Sequence, residues 1–316
     1  MQSSITNAYD EDQDRSTIEV VADKGFLWLT RILSFGVAGI LVWIIVQITI
    51  QAIPAIQDFG LQFLTQSAWN PVDQTYGALP MIYGTVVSSI FALLIAVPIA
   101  LGCAIVLSEN FIPKSVQRIL VFAIELLAAI PSVVYGLWGI YVLIPFLRVI
   151  GRWIHDYFGW IPLFGTEPIG PGMFPAGVIL SIMILPIITA IARDSLDSLP
   201  PELRGASYAV GSTRWQTIFS VLIPAAFSGI IGGVMLGLGR ALGETMAVTM
   251  VIGNSNDLNV SLFAPANTIA SLIASQFPEA SDIQRSALMY AALILFVITL
   301  IVNILAEWIV RSVKKY

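Results

Sequence analysis

Six apolar runs, each long enough to cross a lipid bilayer as a helix, dominate this 316-residue sequence. A helix that spans the hydrocarbon core needs about 20 residues. The runs are Ile32–Gln51, Leu79–Leu107, Ile119–Leu147, Pro168–Ala192, Trp215–Asn256 and Ser286–Ala306. Only 11% of the residues are charged, whereas soluble domains have about 25%. The sequence therefore predicts an all-α, polytopic membrane protein with six transmembrane helices.

The distribution of lysine and arginine predicts how these helices are oriented. Short cytoplasmic segments of membrane proteins carry an excess of both residues. If the N-terminus is inside, the inner segments hold Arg15, Lys24, Arg31, Lys114, Arg118, Arg193, Arg204, Arg214, Arg311, Lys314 and Lys315. The outer segments then hold Arg148, Arg152 and Arg285. We therefore expect both termini to be cytoplasmic.

The charged segments and the apolar runs divide the chain into three predicted regions. Residues 1–24 contain six acidic residues, and we expect a disordered cytoplasmic tail. This acidic stretch is unlike the basic start of a signal peptide, so we expect no cleavage. Residues 25–78 contain the first transmembrane helix and an outer loop. Residues 79–316 form a transmembrane domain of five helices, with an inner loop at residues 193–217.

A stripe of small and charged residues follows one face of the fifth apolar run. On a helix, Gly229, Gly233, Gly237, Arg240 and Glu244 fall within a narrow arc. Small residues at this spacing allow another helix to approach closely. We therefore expect the stripe, including its two charges, to face protein rather than lipid.

Two interpretations of Arg240 and Glu244 are open. In the first, the two side chains neutralise each other as an i,i+4 pair that holds two helices together. In the second, Arg240 contacts an anionic substrate in transit, and Glu244 holds or gates the arginine. The planar guanidinium can grip a tetrahedral oxyanion with two hydrogen bonds. Glu125, predicted to lie inside the third run, either lines the same route or is a structural partner of a neighbouring helix.

The inner loop predicts a short helix that lies across the inner face of the membrane. Pro200 and Pro201 favour a helix start, Glu202 favours its positive end, and Gly211 favours a stop. One face of this helix presents Leu203, Ala206 and Ala209. Such a small-residue face suits docking into a groove of another protein. The alternative is a linker that packs against its own bundle.

The stretch "RGASYAVGSTRWQTIFSVLIP" resembles the EAA loop of ABC importer permeases. Ala206, Gly211 and Pro224 stand at the first alanine, the glycine and the final proline of that pattern. Gly205 and Ser207 depart from its glutamate and its second alanine. With "ELLAAIPSVVYGLWG" and "GLGRALGETMAVTMVIGN", the loop is similar to the phosphate (Pst) permease family, and "GETMAV" resembles its PstC-type subunit. The resemblance extends from about Leu79 to the C-terminus.

This resemblance implies the architecture of a type I ABC importer permease in a bacterial plasma (inner) membrane. The chain would form the pathway of an ATP-driven phosphate importer together with a PstA-type permease chain. A PstS-type binding protein would deliver phosphate from outside, and a dimer of PstB-type ATP-binding subunits would dock inside. The residues implied to line the pathway are Arg240, Glu244 and Glu125. Those implied to couple the chain to the ATPase are Glu202, Arg204, Gly205, Ala206, Ser207, Gly211 and Arg214.

The sequence argues against several other activities. A Walker A motif has glycine directly before its lysine, and no lysine here follows a glycine. We therefore expect another chain to hydrolyse ATP, and no catalytic residue in this one. Single copies of Cys103 and His155 predict no metal site or cofactor.

Three alternative functions are weighed against phosphate import. An importer of another oxyanion, such as sulfate or molybdate, stays open because an arginine fork accepts all of them. A channel or an ion-coupled carrier would make use of the same charges but would not need a docking helix. An intramembrane enzyme is disfavoured because the apolar runs contain neither aspartate nor histidine.

Overall fold

The computed structural model describes residues 17–109 and 111–313, most of which are helical. The helices in chain order are α1 (Thr17–Phe59), α2 (Leu79–Ser108), α3 (Lys114–Ala129), α4 (Ser132–Phe158), α5 (Met173–Asp197), α6 (Pro201–Ala209), α7 (Arg214–Gly243), α8 (Met246–Val251), α9 (Ile269–Gln276) and α10 (Asp282–Val313). Within these ranges, six helices are long and apolar enough to cross a membrane, namely α1, α2, α4, α5, α7 and α10. The prediction of a six-span, all-α membrane protein is confirmed.

The chain divides into two compact units between Ile50 and Gln51. The first unit contains the part of α1 that precedes this point, where the guanidinium of Arg31 lies 5.7 Å from the centre of the Trp28 ring. Residues 1–16 of the predicted acidic tail lie outside the described residues. The rest of the predicted tail, residues 17–24, belongs to α1, which begins at Thr17. The second unit contains the outer loop as well as the other five spanning helices.

The second unit is built around a close contact between α2 and α5. The contacting face of α2 carries an alanine once per turn, at Ala92, Ala96, Ala100 and Ala104, and all four are completely buried. Small side chains allow two helix backbones to approach closely in a membrane protein. The partner face of α5 is fully buried over most of its length. This pair therefore forms the centre on which α4 and α7 pack.

Two spanning helices share the letters VLIP, and both contain a widened turn just before the proline. The wide turns lie at Gly139–Leu143 in α4, before Pro145, and at Ile218–Leu222 in α7, before Pro224. Proline lacks an amide hydrogen, and its ring collides with the preceding turn of an α-helix. A single π turn relieves that collision while the helix continues. These prolines therefore bend the spanning helices without ending them.

The third predicted run, Ile119–Leu147, is not one helix, so its predicted bounds are wrong. Helix α3 ends at Ala129, and the next two residues, Ile130 and Pro131, are extended, with ψ angles of 128° and 140°. The proline ring disfavours the helical region for the residue before it. The spanning helix α4 therefore begins only at Ser132.

The residues between α1 and α2 form a folded cap on α9 and α10. Its two short strands are β1 (Trp69–Asn70) and β2 (Thr75–Tyr76), which pair in antiparallel fashion. The indole Nε1 of Trp69 donates a hydrogen bond to Oε1 of Gln276 at 2.8 Å. The ring of Phe63 stacks on that of Tyr290, with 4.6 Å between the centroids. The loop between α1 and α2 thus belongs to the same packed unit as the five spanning helices that follow it.

Candidate functional site

The glycine stripe of α7 faces protein, as predicted. A Cβ atom at Gly229 would meet the side chain of Ser195, and one at Gly237 would meet Ile188, both on α5. At Gly233 a Cβ would lie 3.1 Å from Cβ of Ile191. These glycines therefore let α7 lie closer to α5 than any larger residue would allow.

Arg240 reaches into a groove beside this contact. Its side chain is half-buried, and its Nε atom is shielded from solvent without a hydrogen-bond partner in the described part of the chain. The groove has a volume of about 540 Å³ and is lined by Ile187, Gly232, Met235, Leu236, Gly239, Arg240 and Asn303. No atom lies within 4 Å of the position that a Cβ would take at Gly232 or Gly239. The groove therefore has room for a small anion beside the guanidinium.

Glu244 does not pair with Arg240. Helix α7 ends at Gly243, and Glu244 is extended, with a ψ angle of 123°. The carboxylate is therefore not one helical turn beyond the guanidinium; its Oε1 instead accepts a long hydrogen bond of 3.4 Å from the amide of Ala247 at the start of α8. The fifth run is therefore not one unbroken helix, and the i,i+4 pair, one of the two interpretations of these charges, is not formed in this structure.

Glu125 lies on α3 and not in a spanning helix, so its predicted place inside the third span is wrong. The break at Pro131 separates α3 from α4, and only α4 is among the six spans. The Glu125 side chain is exposed on this chain. It lines a surface groove of about 410 Å³ whose other charged residues are Lys114 and Arg118. The structure therefore places Glu125 among basic side chains of its own helix, away from the groove of Arg240.

The loop between α5 and α7, which the sequence predicts to be an inner loop, contains the predicted short helix. Helix α6 begins at Pro201, has Glu202 in its first turn and ends at Ala209. Gly211 follows with a φ angle of 85°, in the left-handed region that suits glycine. Along α6 and its end, the exposed residues include Glu202, Leu203, Gly205, Ala206, Ala209 and Gly211. Val210, at the tip, is 82% exposed.

A network of ionic and aromatic contacts holds the opposite face of α6. Glu109, just beyond α2, is 5% exposed. Its Oε1 accepts hydrogen bonds from Nε and Nη2 of Arg204, at 2.9 and 2.7 Å. Arg204 also donates to the carbonyls of Leu196, at 3.0 Å, and Leu199, at 3.3 Å, at the end of α5. Four of the five N–H donors of Arg204 are therefore engaged within its own chain.

Arg214, at the start of α7, completes this network. Its Nη2 donates to the main-chain carbonyl of Glu109. Its guanidinium carbon lies 3.6 Å from the centre of the Phe111 ring, a cation–π contact. We call Glu109, Phe111, Arg204 and Arg214 the inner-face network. Beside it, the buried hydroxyls of Ser207 and Thr217 lie 2.9 Å apart and share a hydrogen bond.

The sequence patterns did not single out Glu109 or Asn303. Glu109 is the first charged residue after the second apolar run, and its arginine partner is 95 residues away. A single charge between apolar segments could have marked Glu109 as a residue of interest. Nothing in the sequence indicates that its partner is Arg204. Asn303 is an amide inside the last apolar run. Polar residues inside a span often mark a functional route, so its position was informative.

No group of three histidine, cysteine, aspartate or glutamate side chains is placed to hold a metal ion within residues 17–109 and 111–313. The described residues offer instead a groove lined by Arg240 in the spanning region and an exposed short helix, α6, between two spanning helices.

Comparison with known proteins places the chain among transport proteins. Residues 96–315 match the family described as "Binding-protein-dependent transport system inner membrane component". A phosphate transport system permease protein PstC from Pasteurella multocida is 43% identical over 295 residues, which cover 92% of each chain. The PstC protein of Mesorhizobium japonicum is 47% identical over 265 residues, covering 82% of this chain and 81% of the relative.

Solved structures of ABC transporters share the fold. A chain of a bacterial alginate ABC transporter, in complex with its alginate pentasaccharide-bound periplasmic protein, is 17% identical and has a TM-score of 0.56. The match covers 92% of this chain and 98% of that one. A chain of the MetNI methionine ABC transporter, in an inward-facing conformation, is 20% identical, with a TM-score of 0.53 and coverage of 75% and 94%. At these identities the likeness concerns the fold, which is that of a type I ABC importer permease.

Proposed function

Because the chain belongs to the PstC family of phosphate permeases, within the binding-protein-dependent transport system inner membrane components, we propose that it carries phosphate across the membrane through the Arg240 groove. The chain is a multi-pass permease subunit of a phosphate ABC importer, which works with other ABC components. The observation that carries the assignment of the groove is that Arg240 lines it without a carboxylate partner in the described part of the chain.

An unpaired arginine in a spanning helix needs a reason. Arg240 lies in the last turn of the spanning helix α7, and charged residues within spanning helices usually pair or line a pathway. Arg240 has no carboxylate partner within the described residues, although Glu244 is only four positions away. A tetrahedral anion would satisfy both the charge and the hydrogen-bond donors. Phosphate in transit therefore fits the groove.

The two glutamates take different roles in this proposal. Glu244 lies in the two-residue link between α7 and α8. In this proposal, a rotation of the link backbone brings the Glu244 carboxylate to Arg240 when no anion is present. The carboxylate would thus hold the arginine between transport cycles. The Glu125 side chain is exposed on α3. This exposure supports the alternative interpretation, in which Glu125 pairs with a basic group on another permease chain.

The proposed partners follow from the family and from the exposed surfaces. A PstA-type permease chain would complete the pathway, and a PstS-type binding protein would deliver phosphate to the outer loops. ATP would be hydrolysed by a PstB-type dimer, because the chain contains no Walker A lysine. The excess of lysine and arginine in the inner segments supports cytoplasmic termini in a bacterial plasma (inner) membrane.

The exposed face of α6 is the proposed contact with the ATPase. Glu202, Gly205, Ala206 and Gly211 lie on its accessible surface, and the small residues among them leave space for a groove to close around the helix. Arg204, Ser207 and Arg214 have partners within the chain. We assign these three residues to coupling through the position they give α6, rather than through direct contact.

Uptake of labelled phosphate by the complete transporter in lipid vesicles tests the role of Arg240. Arg240→Ala should lower uptake at least about tenfold, since hydrogen bonds to a charged group contribute about 1.5–3 kcal/mol each. Arg240→Lys should retain part of the activity, because the charge remains but the two-pronged geometry is lost. Arg311→Gln is the matched control, because Arg311 is 76% exposed and paired only with Glu307 at the surface.

The same vesicles separate the competing interpretations. Unlabelled sulfate or molybdate should compete weakly with labelled phosphate, and strong competition would favour an importer of another oxyanion. Uptake by Arg240→Ala at the level of the Arg311→Gln control would show that the groove is not the pathway. Uptake without added nucleotide would indicate a channel or an ion-coupled carrier.

A further inference from the structure

Glu109 occupies a position that normally disfavours a carboxylate. It is 5% exposed, and removing a charge from water is unfavourable unless the charge is paired and hydrogen-bonded. Here the two short bonds from Arg204 satisfy the carboxylate. Because Glu109 is buried within its own chain, contact with another protein does not account for this arrangement.

Glu109 connects elements that are far apart in the sequence. Glu109 directly follows the last residue of α2. Its partner Arg204 belongs to α6 and also donates hydrogen bonds to two main-chain carbonyls at and just after the end of α5. Arg214, the first residue of α7, binds the main chain of Glu109. The ends of α2, α6 and α7 therefore meet at Glu109, and its partner Arg204 extends the connection to the end of α5.

The covalent link from α6 to α7 is less constrained than these side-chain contacts. Gly211 has a φ angle of 85°, and no atom lies within 4 Å of its missing Cβ. Glycine has more backbone freedom than any other residue. A force applied to the exposed face of α6 would therefore turn this helix about Gly211, unless side-chain contacts pass the force to the spanning helices. Those contacts are the inner-face network and the bond between Ser207 and Thr217.

We propose that Glu109 is a positioning residue for energy coupling, which clamps α6 to the inner ends of α2, α5 and α7. With the clamp closed, a movement imposed on α6 moves the spanning helices; with the clamp open, α6 moves alone. The proposal rests on the proposed function in one respect, namely that a partner ATPase drives α6.

The test uses the complete transporter in lipid vesicles and measures phosphate uptake and ATP hydrolysis in the same sample. Glu109→Gln removes the charge and keeps the size of the side chain, so the ratio of phosphate carried to ATP hydrolysed should fall about tenfold. Glu109→Asp keeps the charge and should retain most of that ratio. Glu307→Gln breaks an exposed pair with Arg311 and serves as the matched control.

Hydrogen exchange of the α6 amides in the purified complex gives a second readout, which needs neither phosphate nor ATP. Exchange should be faster in Glu109→Gln than in Glu307→Gln, because α6 has lost its clamp. If Glu109→Gln does not assemble, Arg204→Lys carries the same test, since it keeps the charge and loses the two-pronged contact.

The outcomes are distinct. A lower transport ratio together with faster exchange supports the clamp. An unchanged ratio overturns it, and so does a proportional loss of uptake and hydrolysis with unchanged exchange. If the wild-type complex carries no phosphate, the proposed function fails, and exchange at α6 alone decides whether Glu109 restrains this helix.

Discussion

Replacing Gly237 with alanine should loosen the contact between α5 and α7. A Cβ atom at Gly237 would lie 2.9 Å from both Cγ1 and Cδ1 of Ile188, whereas favourable carbon contacts are about 3.5–4.0 Å. Extra methyl groups in a packed core cost about 1–3 kcal/mol. At Gly232, on the same helix, no atom lies within 4 Å of the added Cβ, so Gly232→Ala is the matched control.

Comparing Gly237→Ala with Gly232→Ala isolates the steric clash between the added Cβ and Ile188. Both substitutions gain the same helix propensity, about 1 kcal/mol, so the two variants should differ in free energy of unfolding by the packing cost alone, about 1–3 kcal/mol. The measurement is the loss of helical circular dichroism as a denaturing detergent is titrated into the purified chain in micelles. Equal free energies for the two variants would refute the packing of Gly237 against Ile188.

Two further predictions concern the loops at either end of the bundle. Gly211→Ala should disfavour the turn after α6 by about 1–2 kcal/mol, because an L-residue is strained at a positive φ. The loop should therefore be cleaved by a protease faster in Gly211→Ala than in Gly205→Ala, and equal rates of cleavage would contradict this prediction. Trp69→Phe removes the hydrogen bond to Gln276 and should cost about 1 kcal/mol of unfolding free energy. The control Trp160→Phe changes a residue that is 81% exposed and should cost less than about 0.5 kcal/mol; equal losses would argue against the cap contact.

Local chemistry predicts most of the fold. The apolar runs locate the spanning helices, and Pro201 and Gly211 mark the start and stop of α6 because each acts through its own backbone. The break at Pro131 was missed, since the residues on both sides are equally apolar and many prolines in membrane helices only bend them. Pro145 and Pro224 do bend their helices through a π turn, so proline alone does not distinguish a break from a bend.

The candidate site was predicted less completely, because it depends on contacts between distant residues. Arg240 stands out as a charge in an apolar run, but the end of α7 at Gly243, which separates it from Glu244, has no comparable mark in the sequence. The bond between Glu109 and Arg204 joins residues 95 positions apart, so spacing along the chain could not reveal it. Arg204 was correctly placed on α6, whereas its inward orientation needed the structure.

Two arginines of this chain illustrate how burial and pairing separate a structural charge from one available to a ligand. Arg204 meets a buried carboxylate and two carbonyls, so four of its five donors are already occupied. Its replacement would leave the carboxylate of Glu109 buried without this partner. Arg240 lines its groove without a carboxylate partner among the described residues, so we propose that the accessible end of its guanidinium is available to an anion that enters the groove. Because a paired buried charge is costly to break and an unpaired one is costly to keep, the first arginine resists movement and the second favours occupancy. A transporter needs both properties, and here Arg204 lies on α6, which precedes α7, whereas Arg240 lies in the last turn of α7.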